Sequence, residues 1–135
     1  MEIKPLIGLN DILFGMSRDS IKNLLGEPKS TRGFSPLADN DKAEIWLYSN
    51  GIELYFLTDE NYLLSTITVE SNVSKLDNFD CIGVSEKELK LKYPQIETSD
   101  NFEDFGKDYL LPNKEISFWV VDGRVRGLTI SSKVV

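Results

Sequence analysis

"GMSRDSIKNLLGEP", residues 15–28, reads as a short helix stopped at both ends. Ser17 is an N-cap, its hydroxyl placed to accept from an orphan N–H of the first turn. Met16 and Ile21 have the spacing of a hydrophobic staple, and Asp19 sets negative charge at the positive end of the helix dipole. Ile21, Leu24 and Leu25 recur at i, i+3 and i+4 as one apolar face. Gly26 is suited to the left-handed conformation past the last turn, and Pro28 prevents continuation. A helix of about two and a half turns is not stable alone, so it needs a surface to pack on.

The surface follows in the chain. "AEIWLYS" (43–49) and "GIELYFLTD" (51–59) alternate and are rich in β-formers, with Asn50-Gly51 as the turn between them. "YLLSTITVE" (62–70) reads as a third strand. The same order then recurs. In "GVSEKELKLKYP" (83–94), Gly83, Val84, Ser85 and Leu89 fall where Gly15, Met16, Ser17 and Ile21 fell, and Ser85 with Glu88 makes a capping box. "EISFWVVDGRVRGLTIS" (115–131) matches "GIELYFLTDENYLLSTITVE", so that Phe118 stands for Leu54, with Asp122-Gly123 as a tighter turn. Two matches in one order indicate an internal repeat. Between them, residues 95–113 hold at most one strand, near Tyr109–Leu111. The pattern predicts an α+β fold in a single domain, 1–135. Two tandem helix-plus-antiparallel-meander repeats, about 9–70 and 78–131, form one curved antiparallel sheet with helices on one face.

Length and composition fit one packed domain: the hydrophobic fraction is 41% over 135 residues. Fifteen Lys and Arg face twenty-two Asp and Glu, a net charge of −7. Such a chain repels phosphate backbones and argues against nucleic-acid binding, while favouring solubility or a basic partner. A lone Cys81 makes no internal disulfide, as expected of a reducing compartment. The start, "MEIKPLIGLNDILFG", lacks the basic region and apolar core of a signal peptide, and no apolar run approaches the ~20 residues of a membrane span. The expected location is cytoplasmic, without membrane association.

Chemistry finds little purchase. Histidine is absent, which removes the commonest general base and metal ligand. One cysteine makes no zinc site. "DNFEDFGKD" (100–108) puts Phe102 and Phe105 where a calcium loop needs an oxygen ligand and a glycine. Carboxylates are plentiful, but plentiful acids are ordinarily solvated. The expectation is no enzyme, no cofactor and no metal.

A binding surface remains. Alternation sorts Ile45, Leu47, Ile52, Leu54, Phe56, Ile67, Val69, Ile116, Phe118, Val120, Leu128 and Ile130 onto one apolar face, expected beneath the helices. Glu44, Trp46, Tyr48, Glu53, Tyr55, Thr66, Thr68, Trp119 and Thr129 fall on the other. Trp and Tyr are good strand formers on any half-exposed face. Four of them interleaved with acids also have the composition of a protein-binding hot spot. The candidate contact residues are therefore Glu44, Trp46, Tyr48, Glu53, Tyr55 and Trp119. The acidic stretch Glu97, Asp100, Glu103, Asp104 and Asp108, otherwise a solvated loop, is a second candidate.

Gly15-Met16-Ser17, Leu24-Leu25-Gly26-Glu27-Pro28 and Trp46-Leu47-Tyr48 together resemble the small SmpA/OmlA lipoprotein family, with its helix start, helix end and aromatic strand. The duplicated unit resembles the β-lactamase inhibitor protein fold. The resemblance covers residues 9–70 well and 78–131 loosely, and its motifs are structural punctuation, so it implies fold more than function. Both kinds of protein bind other proteins. Joined to the acidic charge, this gives the expectation of a non-catalytic inhibitor, most concretely an immunity protein neutralising a basic, nuclease-type bacterial toxin. The alternative is a cell-envelope assembly or structural module like the SmpA/OmlA lipoproteins.

Overall fold

The computed structural model describes residues 1–34, 43–57, 61–70, 75–102 and 105–132. Its elements are β1 (Ile3–Lys4), β2 (Gly8–Leu9), β3 (Ile12–Leu13), α1 (Arg18–Leu25), β4 (Ser30–Phe34), β5 (Ala43–Leu47), β6 (Ile52–Leu57), β7 (Leu63–Glu70), β8 (Lys75–Leu76), β9 (Phe79–Asp80), α2 (Glu86–Lys92), β10 (Glu97–Asn101), β11 (Lys107–Leu111), β12 (Ile116–Val121) and β13 (Arg124–Ser131). Eight strands form one sheet in the order β10-β11-β12-β13-β7-β6-β5-β4, every neighbouring pair antiparallel. The chain enters it as two four-stranded runs, β4–β7 and β10–β13, which meet where β7 pairs with β13.

The expected α+β architecture, two helix-plus-meander repeats with a helical layer on one face, is corrected by this arrangement: the fold is mostly β. The helices have eight and seven residues. Their starts are where local chemistry put them, with Ser17 and Ser85 as N-caps, each accepting from the backbone N–H three residues on at 3.1 Å. But α1 buries only Ile21 and α2 only Leu89. Leu24 and Leu25, expected on the packed face of α1, are exposed. One buried side chain per helix does not make a layer. The core is instead closed by a mixture: Ile3, Leu9 and Ile12 of the small β1-β2-β3 sheet, Ile21, Leu76, Cys81, Leu89 and Tyr93. Residues 97–101, expected to be loop, form the edge strand β10, and β4 forms the opposite edge. Among the described residues no helix is long and apolar enough to cross a membrane.

Directly paired residues of antiparallel strands share a face. One row therefore runs Trp46, Leu54, Ile67, Ile130, Ile116 and Leu111, and the next Ile52, Val69, Leu128, Phe118 and Tyr109. All are buried, and all belong to the core. The opposite face has rows of another character. One is Arg32, Ile45, Tyr55, Thr66 and Ser131; the next is Leu47, Glu53, Thr68, Thr129, Ser117 and Leu110; a third is Gly127, Trp119 and Asp108. On this face Glu53, Tyr55, Thr66, Thr68, Ser117, Trp119 and Thr129 are half-exposed, although Ile45 is buried.

Ile45 and Leu47 thus change sides from the apolar set expected of them, and Glu44, Trp46 and Tyr48 change the other way. The cause is a single residue. A two-residue Asn50-Gly51 turn would place Trp46 opposite Tyr55 and Ile45 opposite Phe56. The observed hairpin closes between Tyr48 and Ile52, whose backbone N–H and C=O bond at 2.9 Å, leaving Ser49-Asn50-Gly51 as the loop. Gly51 takes φ 81°, which a three-residue loop requires of its last member. Trp46 then pairs with Leu54 and Ile45 with Tyr55. A shift of one residue turns over every side chain of the strand.

Candidate functional site

Three of the expected contact residues are structural. Trp46 is 3% exposed and Tyr48 8%. The Trp46 indole N–H donates to Glu44 Oε1 at 2.6 Å, and its ring lies 4.8 Å from that of Phe56. Glu44 Oε2 accepts from Arg18 Nη1 at 2.8 Å, and that guanidinium sits 4.0 Å above the Tyr62 ring. The Tyr48 hydroxyl donates to the Gly26 carbonyl, fastening the end of α1 to the sheet. These three side chains dock α1 and do not present themselves to a partner.

The second helix is docked by a similar device with its charges exchanged. Arg18 and Glu86 are each the first residue of their helix. Glu86 Oε1 accepts from the Tyr109 hydroxyl and from Lys107 Nζ at 3.3 Å, with Lys90 Nζ at 3.6 Å. The hydrogen bond from Tyr109 is the main influence holding the Glu86 carboxyl below its ordinary value of 4.5; Lys107 and Lys90 act in the same direction, and partial burial opposes them. A carboxylate whose folded-state value is depressed stabilises the fold above its unfolded value and loses that contribution on acidification. The contribution is therefore complete above about pH 4.5 and is lost as the pH falls below that, through the depressed value. Glu86→Gln is expected to flatten the pH dependence of the melting temperature in that acid range. Equal slopes for parent and variant would remove Glu86 from the account.

Glu53, Tyr55 and Trp119 do share the accessible sheet face, but not as a continuous aromatic patch. Tyr55 on β6 and Trp119 on β12 are separated by β7 and β13, and the ground between them carries hydroxyls. Thr68 and Thr129 lie 3.3 Å apart and Thr66 and Ser131 3.5 Å apart, oxygen to oxygen. Glu53 is paired to Arg32 at 3.1 Å. The face therefore combines neutral hydrogen-bonding groups with an aromatic ring toward each side.

Of the acidic candidates, Asp100 is placed by its backbone opposite Asp108 in the β10–β11 pair, while Glu103 and Asp104 lie outside the described residues. The neighbouring aromatics were overlooked. Phe102 is 51% exposed and Phe105 76%. The Phe102 ring meets the Trp119 ring at 5.8 Å in an edge-on arrangement. Two phenylalanines spaced through a polar, acidic stretch were the signal in the sequence.

Cys81 is fully buried, and burial above all pushes its thiol up to about 12. A thiol held protonated in this way is a poor nucleophile. Among the described residues no group of three or more His, Cys, Asp or Glu is arranged to hold a metal ion. No protein-family model, no curated protein and no solved structure gives a significant match to this chain.

Proposed function

We propose that this protein is a non-catalytic protein-binding inhibitor, of the immunity-protein kind, that neutralises a basic, nuclease-type bacterial toxin. The observation that carries the reading is the division of the eight-stranded sheet. One face carries the two buried rows of the core, and the other offers Tyr55, Trp119 and a hydroxyl-bearing field between them. A rigid sheet of this kind supplies preorganised contact area at small entropic cost. The net charge of −7 favours a basic partner and its fast, steered approach.

The test begins with the reading frame next to this gene. Expressed alone, its product is expected to arrest growth, and co-expression of this chain is expected to restore it. The reconstituted complex should associate about tenfold or more slowly at high salt than at low salt. A partner that is acidic, or a complex whose association ignores salt, would overturn the proposal. So would rescue that requires no direct binding.

A further inference from the structure

We infer that Phe102 and Phe105, at the β10–β11 connection and with Phe102 against Trp119, are the anchor by which a basic protein docks. This rests on the protein-binding reading above and assigns its contact point.

Phe105, Leu91 and Ile7, at 76%, 72% and 55%, are the most exposed large apolar side chains among the described residues, followed by Phe102 at 51%. Of these, Phe102 meets a further aromatic, the half-exposed Trp119, and Phe105 is tied to Phe102 by its backbone N–H. Exposed aromatics that cluster in this way are the usual composition of interface hot spots.

Phe102, Phe105 and Gly106 are tied together through the backbone. The Phe102 N–H donates to the Gly106 carbonyl at 2.8 Å, and the Phe105 N–H to the Phe102 carbonyl at 2.9 Å. Gly106 takes φ 144° and lies so close to β12 that a Cβ there would fall 2.5 Å from the Val120 oxygen and 3.0 Å from the Trp119 ring. The absent side chain lets the indole pack on the turn. Aromatics fixed before binding lose little conformational freedom on docking.

Charge selects the occupant. Residues 97–108 contain five acids, Glu97, Asp100, Glu103, Asp104 and Asp108, against the single Lys107. This stretch carries a net −4 of the chain's −7. A second copy of the chain, or an anionic membrane, would meet repulsion there, whereas a basic protein would be steered toward the phenylalanines.

Site-specific photo-crosslinking tests this in the full chain. A benzophenone-bearing phenylalanine analogue is placed at position 105, and in separate chains at positions 55 and 91, and each is expressed in the source cells. Position 105 is expected to yield an adduct with a basic protein, and position 91 none. With that protein purified, the double variant Phe102→Ala, Phe105→Ala should bind about 30-fold more weakly, and Leu91→Ala about as well as the parent. Far-UV circular dichroism of both should match the parent, since the replaced rings are largely outside the core. An adduct from position 55 and none from 105 overturns the anchor and leaves the protein-binding reading standing. No adduct from any of the three positions overturns both. An adduct with a second copy or with an acidic protein overturns the anchor, as does unchanged affinity in the double variant.

Discussion

Phe118→Ala is expected to lower the stability of the fold by ~3–5 kcal/mol, the range for removing a buried phenyl ring. Phe118 is fully buried in the second core row, between its cross-strand partners Tyr109 and Leu128. Its ring stacks on Tyr93 with centroids 6.2 Å apart and 20° between planes. Tyr93 in turn caps α2 and donates its hydroxyl to the Leu76 carbonyl at 3.2 Å. The ring therefore joins the sheet to α2 and to the β8–β9 hairpin, and no single neighbour can move in to fill its place. Leu54→Ala, at the matching position of the other half, should cost ~2–5 kcal/mol. Leu54 is also fully buried, between Trp46 and Ile67. Against a total stability of ~5–15 kcal/mol, either loss is a large fraction. For a chain of this size the Phe118 variant should melt on the order of 15 °C lower. Urea denaturation at unchanged slope would assign the effect to the folded state. A variant melting within a degree or two of the parent would show that Phe118 does not lie in the core.

The parts of the fold legible in the sequence are those decided within a few residues. The caps at Ser17 and Ser85 are of this kind, because a hydroxyl and the N–H three residues on are set by the local chain alone. The central strands are legible too, since Ile52–Leu57 and Ile116–Val121 alternate buried and half-exposed along their whole length. The edge strands are not. Residues 30–33, 97–99 and 101 are exposed and carry no apolar side chain, and what makes these stretches strands is a partner already in place. The β1-β2-β3 sheet consists of two-residue strands, too short for any period to show.

The candidate site was half legible for a related reason. Tyr55 and Trp119 sit in strands whose apolar residues alternate strictly and so fix which face each residue takes. In β5 and the residue after it both phases bury something useful, Ile45 and Leu47 in one, Trp46 and Tyr48 in the other. Propensity cannot decide between them, and the loop at Ser49-Asn50-Gly51 does. The mostly β character escaped the sequence reading because a capped helix start looks the same whether the helix goes on to cover a sheet or only pins its end.

That choice of phase makes Trp46 the most informative residue to change. If it faced a partner, Trp46→Ala would weaken binding and leave the fold alone. The structure gives the opposite expectation. At 3% exposure, with its ring against Phe56 and the Lys22 ammonium 5.4 Å above it, the indole is part of the core beneath α1. Trp46→Ala should therefore destabilise the protein by ~3–5 kcal/mol. Trp46→Phe separates the two sources of that loss. It keeps most of the buried ring but gives up the N–H donated to Glu44 at 2.6 Å, a bond to a charged acceptor worth ~1.5–3 kcal/mol. Glu44 keeps Arg18 in that variant, so the residual effect should fall toward the lower end of the range. At a temperature where both variants remain folded, their affinity for the basic partner should equal the parent's. Thermal melts alongside binding measurements decide the matter. A Trp46→Ala protein that melts like the parent but no longer binds would mean that β5 faces the other way, with a two-residue turn at Asn50-Gly51. A protein that unfolds early and binds normally when folded places Trp46 where the three-residue loop puts it, among the residues that hold the sheet together.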